Sequence, residues 1–361
     1  MWPATWPGCG PPPQPSDLDG RPFRVPIYIT DGEFAVPSGV TVNAVARSAT
    51  TPADTPATVP ATFRTRSGCI ACGSSRLTSI WSGRFCDEPV AGWLATFAYA
   101  ADVPRALGDG RFDRVGCEQC HTSFHRTVLD DSSIDALYST WITGTQIASL
   151  HKTIGVQGPT QRRHETRAAI HHLLRLARLA GRSQPRLLDF GCGDGAFVVQ
   201  ADLLGFEAVG VDFSITRRAQ ADLGGGRVFP SLESAAEASP GAYQVVTAFE
   251  VLEHVVDPLR LLRDLHARLA PGGIALVETP DCATVTTPST FEEFRLVQPL
   301  EHINTFTGES LVALARRAGF QPMRVRPNVV AGSLGEAARQ LVGHLVRRRP
   351  TSLYLRKPSW R

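Results

Sequence analysis

The sequence has little that suggests a membrane span, a secretion signal or a nucleic-acid partner. No apolar run approaches the roughly 20 residues that a helix needs to cross a bilayer, and the start Met1-Trp2-Pro3 lacks the basic and apolar parts of a signal peptide. The net charge is only +3, and Lys152 and Lys357 are the only lysines, so arginine supplies nearly all of the basic charge. We therefore expect a cytoplasmic protein with no transmembrane segment and no nucleic-acid partner.

The remaining composition is that of a globular protein. With 361 residues, of which 43% are hydrophobic and 20% charged, the chain has room for two modest domains and tails. Eight cysteines in a cytosolic protein are better explained by a metal site and free thiols than by disulfides.

Changes of composition divide the chain into four parts. Residues 1–66 are rich in Pro, Thr, Ala and Gly, and predict a disordered tail because they offer little apolar surface to bury. Residues 67–145 carry two cysteine pairs and many glycines, which predicts a small metal-binding module with an insertion. Residues 150–325 form the main domain, and residues 326–361 are predicted to be a basic amphipathic tail.

Short apolar runs alternate with amphipathic segments in the main domain. Such alternation with short turns predicts an α/β fold, in which helices cover both faces of a parallel sheet. The predicted strands are 186–190, 208–212, 244–249 and 274–278, and the predicted helices are 161–180, 195–204 and 259–269.

The loop 189–195, Asp-Phe-Gly-Cys-Gly-Asp-Gly, lies between the first of these strands and its helix. Glycines allow the backbone to approach a ligand closely, and nucleotide cofactors bind outside the carboxyl ends of such strands. The glycines fall on alternate positions rather than in the Gly-x-Gly-x-x-Gly spacing of dinucleotide-binding folds, and acidic residues flank them, which disfavours a pyrophosphate. Asp212, at the end of the next strand, is placed to accept hydrogen bonds from ribose hydroxyls.

This loop resembles motif I of class I S-adenosylmethionine-dependent methyltransferases. The segments 209–214, 249–258 and 269–273 resemble the second-strand, fourth-strand and pre-fifth-strand motifs of the same superfamily. The resemblance implies a Rossmann-like, doubly wound sheet of seven mostly parallel strands that binds S-adenosylmethionine. The cofactor-binding residues that it implies are Asp189 at the methionine amino end, Gly191, Gly193 and Gly195 in the loop, Asp212 at the ribose, and Phe249 and Glu250 beside the methyl donor.

Two cysteine pairs, Cys69-x-x-Cys72 and Cys117-x-x-Cys120, have metal-ligand spacing. Four thiolates suit tetrahedral Zn²⁺, and a metal with four protein ligands has no open position, so we expect a structural zinc in a zinc-ribbon-like domain. His121, His125 and Cys86 are substitutes if one cysteine is not a ligand.

The insertion between the pairs contains Trp93, Phe97 and Tyr99, which either pack as core or wall a substrate cavity. The cysteine pairs and the following Leu137-Tyr138 resemble a subgroup of methyltransferases that place a zinc module before the catalytic domain. Members of that subgroup act on sugars or other secondary metabolites.

Two histidines are candidates for the base that removes the acceptor's proton, a role most often filled by histidine. His302 follows the predicted strand 274–278, in Glu301-His302, and matches a Glu-His pair that lines the active site in the related zinc-module enzymes. His254 follows the predicted strand 244–249. Both could instead only order their loops.

Three functions are compatible with these features. The first is methyl transfer to a small hydroxylated acceptor, a sugar or a glycan intermediate, with a histidine base. The second is O-methylation of a quinone-like or other natural-product hydroxyl, and the third is a non-catalytic binding protein on a methyltransferase fold. The basic tail raises the hypothesis of peripheral membrane contact and a lipid-linked acceptor, against the plainer interpretation of a solvated terminal helix.

Overall fold

The computed structural model describes residues 59–97, 99–142, 159–325, 333–335, 338 and 351–359. Most of the predicted N-terminal tail and most of the predicted C-terminal tail, including residues 339–350, lie outside these ranges. None of the helices in the described ranges is both long enough and apolar enough to span a bilayer.

A seven-stranded sheet forms the centre of the main domain, with the order β12-β13-β10-β9-β6-β7-β8. The strands β8, β7, β6, β9 and β10 pair in parallel, whereas β13 runs antiparallel to both β10 and β12. The predicted mostly parallel, Rossmann-like sheet is therefore confirmed. Its strands are β6 (Arg186–Phe190), β7 (Glu207–Val211), β8 (Val228–Phe229), β9 (Tyr243–Phe249), β10 (Leu269–Glu278), β12 (Gln321–Pro322) and β13 (Ser352–Arg356).

Alternate residues of each strand point into two different cores, because side chains change face at every residue of a strand. Leu187 packs with Leu173 of the helix Pro159–Ala180, whereas Leu188 packs with Leu262 of the helix Pro258–Arg268 on the opposite face. The sheet is covered on both sides. The remaining helices of the main domain are Ala196–Leu203, Ile215–Leu223, Leu232–Ala238, Phe291–Val297 and Gly308–Arg317.

A second sheet is formed by strands that precede the main domain in the sequence, together with one strand from the main domain. The order of this four-stranded sheet is β11-β4-β3-β2, and β11 (Asn304–Thr305) comes from the main domain, where Asn304 pairs with Phe124. The other elements are β1 (Phe63–Thr65), β2 (Leu77–Arg84), β3 (Arg111–Cys117), β4 (Ser123–His125) and β5 (Thr127–Leu129), with the helices Val90–Thr96, Val103–Leu107, Asp131–Ala136 and the π-helical turn Leu137–Trp141.

Arg114 of β3 strengthens this connection between the two parts. Its side chain is 2% exposed and donates hydrogen bonds to the carbonyls of Val285 and Thr286 at 2.8 and 2.7 Å. The cysteine-bearing module is therefore joined to the main domain by backbone pairing and by a buried cation, rather than held on a linker.

Two predicted tail boundaries are wrong. Phe63–Thr65 form β1 and pair antiparallel with Thr127–Leu129, so the N-terminal tail cannot extend to residue 66. At the other end, Ser352–Arg356 form β13 inside the large sheet, where Leu355 is 1% exposed. The short apolar run of β13 is flanked by basic residues, and for this reason the sequence predicted a basic tail here instead of a strand.

The aromatic residues of the insertion pack as core. Trp93 and Tyr99 are 5% and 6% exposed, and the Trp93 ring stacks on Phe97 and Phe294 with centroids 4.5 and 5.4 Å apart. Because Phe294 belongs to the main domain, these rings also fix the insertion against it.

Candidate active site

The loop after β6 has a left-handed backbone at each of its three glycines, with φ of 76°, 61° and 75° at Gly191, Gly193 and Gly195. A Cβ on Gly191 would collide with Val251, and one on Gly195 would lie 2.9 Å from the Cβ of Ala221. A Cβ on Gly193 would have no heavy atom within 4 Å. The loop is thus packed tightly at both ends and open at its middle, where a ligand can reach the backbone.

Asp212 holds this loop from the end of β7. Its Oδ2 accepts a hydrogen bond from the Gly193 N–H at 3.0 Å, and its Oδ1 accepts one from the Ser214 N–H at 2.9 Å. The side chain is 6% exposed, and Arg217 Nη1 lies 3.8 Å from Oδ2. The sequence-predicted ribose contact and the glycine loop therefore meet at the carboxyl edge of the sheet.

Asp189 lies beneath the same loop and is 2% exposed. Burial raises the pKa of its carboxyl to about 7, the Thr247 hydroxyl opposes that shift by donating to Oδ1 at 2.6 Å, and the charge of Asp212 adds to it. Thr247 was not predicted as a site residue, since a threonine in the middle of a strand carries no sequence signal for such a contact.

Phe249 is the last residue of β9, and Glu250 follows it next to this loop. The Phe249 ring packs against Phe197 and His172, with centroids 4.9 and 5.8 Å away. Glu250 has a left-handed backbone with φ of 52°, held by its N–H donating to the Glu278 carbonyl at 2.9 Å. This conformation costs a residue with a side chain about 1 kcal/mol or more, and such strain clusters at functional sites.

His254 and His302 lie against each other, although 47 intervening residues separate them in the sequence. Their ring centroids are 4.8 Å apart at an interplanar angle of 84°. His302 Nδ1 is 3.3 Å from the Leu296 carbonyl, and His254 Nδ1 is 3.2 Å from the Tyr138 hydroxyl. Tyr138 was predicted only as part of a resemblance, and its contact depends on chain folding that no local motif encodes.

Both histidines are weaker bases than the sequence suggested. Desolvation lowers the pKa of His302 to about 3, with a further lowering from neighbouring His254, and lowers the pKa of His254 to about 4. A base with a pKa near the working pH was expected, whereas these imidazoles are neutral and hold protons poorly.

A buried carboxylate lies beside the two rings. Glu253 is 1% exposed, and neither of its oxygens has a hydrogen-bond donor among the described residues. His254 Nε2 is 3.9 Å from Glu253 Oε1, beyond hydrogen-bond distance. The spacing Glu250-x-x-Glu253-His254 was visible in the sequence, but nothing in it showed that Glu253 is buried without a partner.

The insertion reaches the His302 loop through Tyr99. Its hydroxyl lies 2.9 Å from Gln298 Oε1 and 2.6 Å from Glu301 Oε1, and Glu301 precedes His302. The loop that carries His302 is therefore fixed by a contact from the cysteine-bearing part of the chain.

The four predicted metal ligands converge at a second place. The Sγ atoms of Cys69, Cys72, Cys117 and Cys120 all lie within 4.8 Å of one another, with 3.4 Å for the pairs Cys69–Cys120 and Cys72–Cys117. Thiolates bound to one tetrahedral Zn²⁺ at about 2.3 Å are roughly 3.8 Å apart, so the cluster fits zinc. The substitute ligand His125 points elsewhere, with Nε2 2.8 Å from the Val297 carbonyl.

Comparisons with known proteins concern the main domain. Residues 161–325 match a family model described as a methyltransferase domain. A protein named ubiquinone biosynthesis O-methyltransferase from Bordetella pertussis is 33% identical over 158 residues, which cover 40% of this chain and 65% of that protein. A protein of the same name from Pseudomonas aeruginosa is 33% identical over 107 residues, which cover 28% of this chain and 46% of that protein.

The chain thus spans between 46% and 65% of the length of these two curated relatives. Among solved structures, an S-adenosylmethionine-dependent methyltransferase from Mesorhizobium loti is 21% identical, with 52% of this chain and 96% of that chain covered and a TM-score of 0.37. A TM-score this low adds nothing to the assignment.

Proposed function

Since residues 161–325 form a class I S-adenosylmethionine-dependent methyltransferase domain, we propose that the chain transfers the methyl group of this cofactor to a hydroxyl oxygen of a small acceptor. The observation that carries the proposal is the glycine loop: it is open at Gly193 and tied by Asp212 at the carboxyl edge of a parallel sheet.

The cofactor would lie across this edge as the superfamily resemblance implies. Asp189 would face the methionine amino group, Asp212 the ribose hydroxyls, and Phe249 and Glu250 the methyl donor. The apolar side chain of Phe213 supports this orientation, because it is 70% exposed directly after Asp212, where an adenine ring would cover it.

Methyl transfer is an in-line displacement, so that alignment of acceptor oxygen, methyl carbon and sulfur supplies much of the rate. His254 and His302 would mark the acceptor end of the site, contacting the acceptor or taking its proton. Their contacts with Tyr138 and the Leu296 carbonyl fix the orientation of the rings.

The two relatives named ubiquinone biosynthesis O-methyltransferase favour an oxygen acceptor of the quinone-like class over the sugar hydroxyl that the zinc-module resemblance suggested. A sugar or glycan hydroxyl stays a second candidate, supported by the cysteine cluster that precedes the domain. In either case the Cys69, Cys72, Cys117 and Cys120 cluster would hold a structural zinc.

Two measurements test the proposal. Isothermal titration with S-adenosylmethionine is expected to show a single binding event, and absence of binding would contradict both enzymatic functions. Transfer of a labelled methyl group is then compared for a dihydroxybenzene and for a nucleotide sugar, with product formation on the aromatic hydroxyl expected. A chain that binds the cofactor but methylates neither compound, nor any acceptor in a cell extract, would point to the non-catalytic function.

A further inference from the structure

Three ligand-type side chains converge on one point at the acceptor end of the site. One ligand atom each from Glu253, His254 and His302 lies within 4.8 Å of the others. Glu253 is buried at 1% exposure, whereas both imidazoles are half-buried, so solvent reaches the rings but not the carboxyl.

The carboxylate of Glu253 has no donor to compensate its burial. Both oxygens lack a hydrogen-bond partner among the described residues, and His254 Nε2 at 3.9 Å is too far to donate. A buried carboxyl without a hydrogen-bond donor is stable only when it is protonated or when a cation binds it.

The His302 ring is oriented so that a nitrogen lone pair remains available. A backbone carbonyl only accepts hydrogen bonds, so the contact of His302 Nδ1 with the Leu296 carbonyl places the hydrogen on Nδ1 and the lone pair on Nε2. His254 Nδ1 lies 3.2 Å from the Tyr138 hydroxyl, and its Nε2 lies on the side of Glu253, 3.9 Å from Oε1. Metal-bound histidines are commonly held in this way, through their other ring nitrogen.

From this geometry we propose that Glu253, His254 and His302 bind one divalent transition-metal cation, and that this cation binds the acceptor hydroxyl during methyl transfer. The role in transfer rests on the proposed function, whereas the binding site does not. Two imidazole nitrogens and one carboxylate suit Mn²⁺, Fe²⁺ or Zn²⁺, and three protein ligands leave coordination positions open for the acceptor.

The cation would act on the acceptor hydroxyl directly. A hydroxyl oxygen bound to a divalent cation loses its proton to solvent near neutral pH. Its lone pair then forms the new O–C bond while the C–S bond of the sulfonium breaks and leaves its electron pair on sulfur. The products are a methyl ether and an uncharged thioether.

Mn²⁺ is the probe for the test, since the six-line electron paramagnetic resonance signal of the free ion disappears on binding. The purified full-length chain, with its zinc content measured by mass spectrometry, is titrated with Mn²⁺ in parallel with Glu253→Gln, His302→Ala and His254→Ala. His266→Asn is the matched control, because His266 packs against Phe320, away from the cluster. S-adenosylhomocysteine binding to each sample checks that the domain is folded.

The wild-type chain and His266→Asn are expected to bind one Mn²⁺, and each cluster variant to bind it at least about tenfold more weakly with zinc content unchanged. If the buried Glu253→Gln does not fold, His254→Ala decides, because its side chain is 27% exposed. A wild-type chain that binds S-adenosylhomocysteine but not Mn²⁺, or cluster variants with wild-type Mn²⁺ affinity, would overturn the site. Mn²⁺ binding without cofactor binding or methyl transfer would instead retain the site and contradict the proposed function.

Discussion

The three glycines of the loop after β6 have different surroundings, although all three have a left-handed backbone. Gly191 and Gly195 are confined by Val251 and Ala221, and these two positions are constrained by the fold itself. At Gly193 the space beyond the backbone is open and faces the region assigned to the cofactor. Of the three glycines, only Gly193 can therefore be substituted to test ligand binding without disturbing the packing of the loop.

Gly193→Ala is expected to weaken S-adenosylmethionine binding by at least about tenfold while lowering stability by about 1–2 kcal/mol, the usual cost of a left-handed alanine. Gly205→Ala is the matched control, since Gly205 also has a left-handed φ of 85° and no heavy atom within 4 Å of an added Cβ, but lies outside the loop. Isothermal titration and thermal unfolding measure both quantities. Equal affinity losses in the two variants would show that strain alone explains the effect.

Asp189 connects the same loop to the pH dependence of stability. Its pKa is about 7 in the folded chain, against about 3.9 for an unperturbed aspartate, so between these values the folded state binds more protons than the unfolded state. The free energy of unfolding therefore falls as pH rises to about 7 and then levels off, by the sign of proton linkage.

Asp189→Asn removes this titration and keeps an acceptor for the Thr247 hydroxyl. Without cofactor, the melting temperature of Asp189→Asn relative to wild type is expected to rise by several degrees from pH 5 to pH 7, and to stay constant above that. Thermal unfolding across this pH range is the measurement. A constant difference between the two proteins would show that Asp189 is already ionised throughout.

At the scale of elements, the parts with strong local signals were predictable. The strands β6, β7 and β9 begin and end within one residue of the predicted bounds, because each is an apolar run next to a turn. β10 was predicted to start at Ile274 but begins at Leu269, with an irregular register between these residues that includes Pro271-Gly272-Gly273. The turn residues were identified correctly, but local sequence does not show that pairing continues past them.

The elements that were missed depend on distant partners. β11 has two residues and exists only because Asn304 pairs with Phe124, while β13 lies 74 positions after the strand it pairs with, counting from Glu278 to Ser352. The same reason limits the prediction of the site. The glycine loop and Asp212 lie on adjacent strands and were found, whereas the partners of His254 and the burial of Glu253 arise from chain segments far apart in sequence.

Leu355 tests whether β13 belongs to the core of the sheet. Leu355→Ala is expected to lower the free energy of unfolding by about 2–4 kcal/mol, because it deletes a side chain that is 1% exposed. Arg356→Ala in the same strand is the control and is expected to change it by about 0.5 kcal/mol or less, since that side chain is exposed. Denaturant unfolding compares the two. Equal small effects would mean that residues 352–356 are peripheral, as the sequence first suggested.

At the scale of the whole molecule, the cysteine cluster and the candidate active site are connected through the shared four-stranded sheet. Asn304 of β11 donates from Nδ2 to the carbonyls of Leu252 and Val255 at 2.7 and 2.6 Å, on either side of Glu253 and His254. The strand that completes the cysteine-bearing sheet therefore also holds the backbone of the proposed metal site. A change at the cysteines can therefore alter the acceptor end of the site through β11.

This connection predicts that the chain unfolds as one unit and that loss of the cysteine cluster weakens the active site. Cys72→Ser is expected to abolish zinc binding, to lower the single calorimetric transition, and to reduce Mn²⁺ binding at the Glu253 cluster as well. Cys282→Ser makes the same chemical change at a buried cysteine outside the cluster and is expected to retain zinc and Mn²⁺. Two separate calorimetric transitions in the wild-type chain would contradict this prediction, and so would normal Mn²⁺ binding after zinc loss. Either result would show that the cysteine-bearing module is an independent domain that does not stabilise the acceptor end of the site.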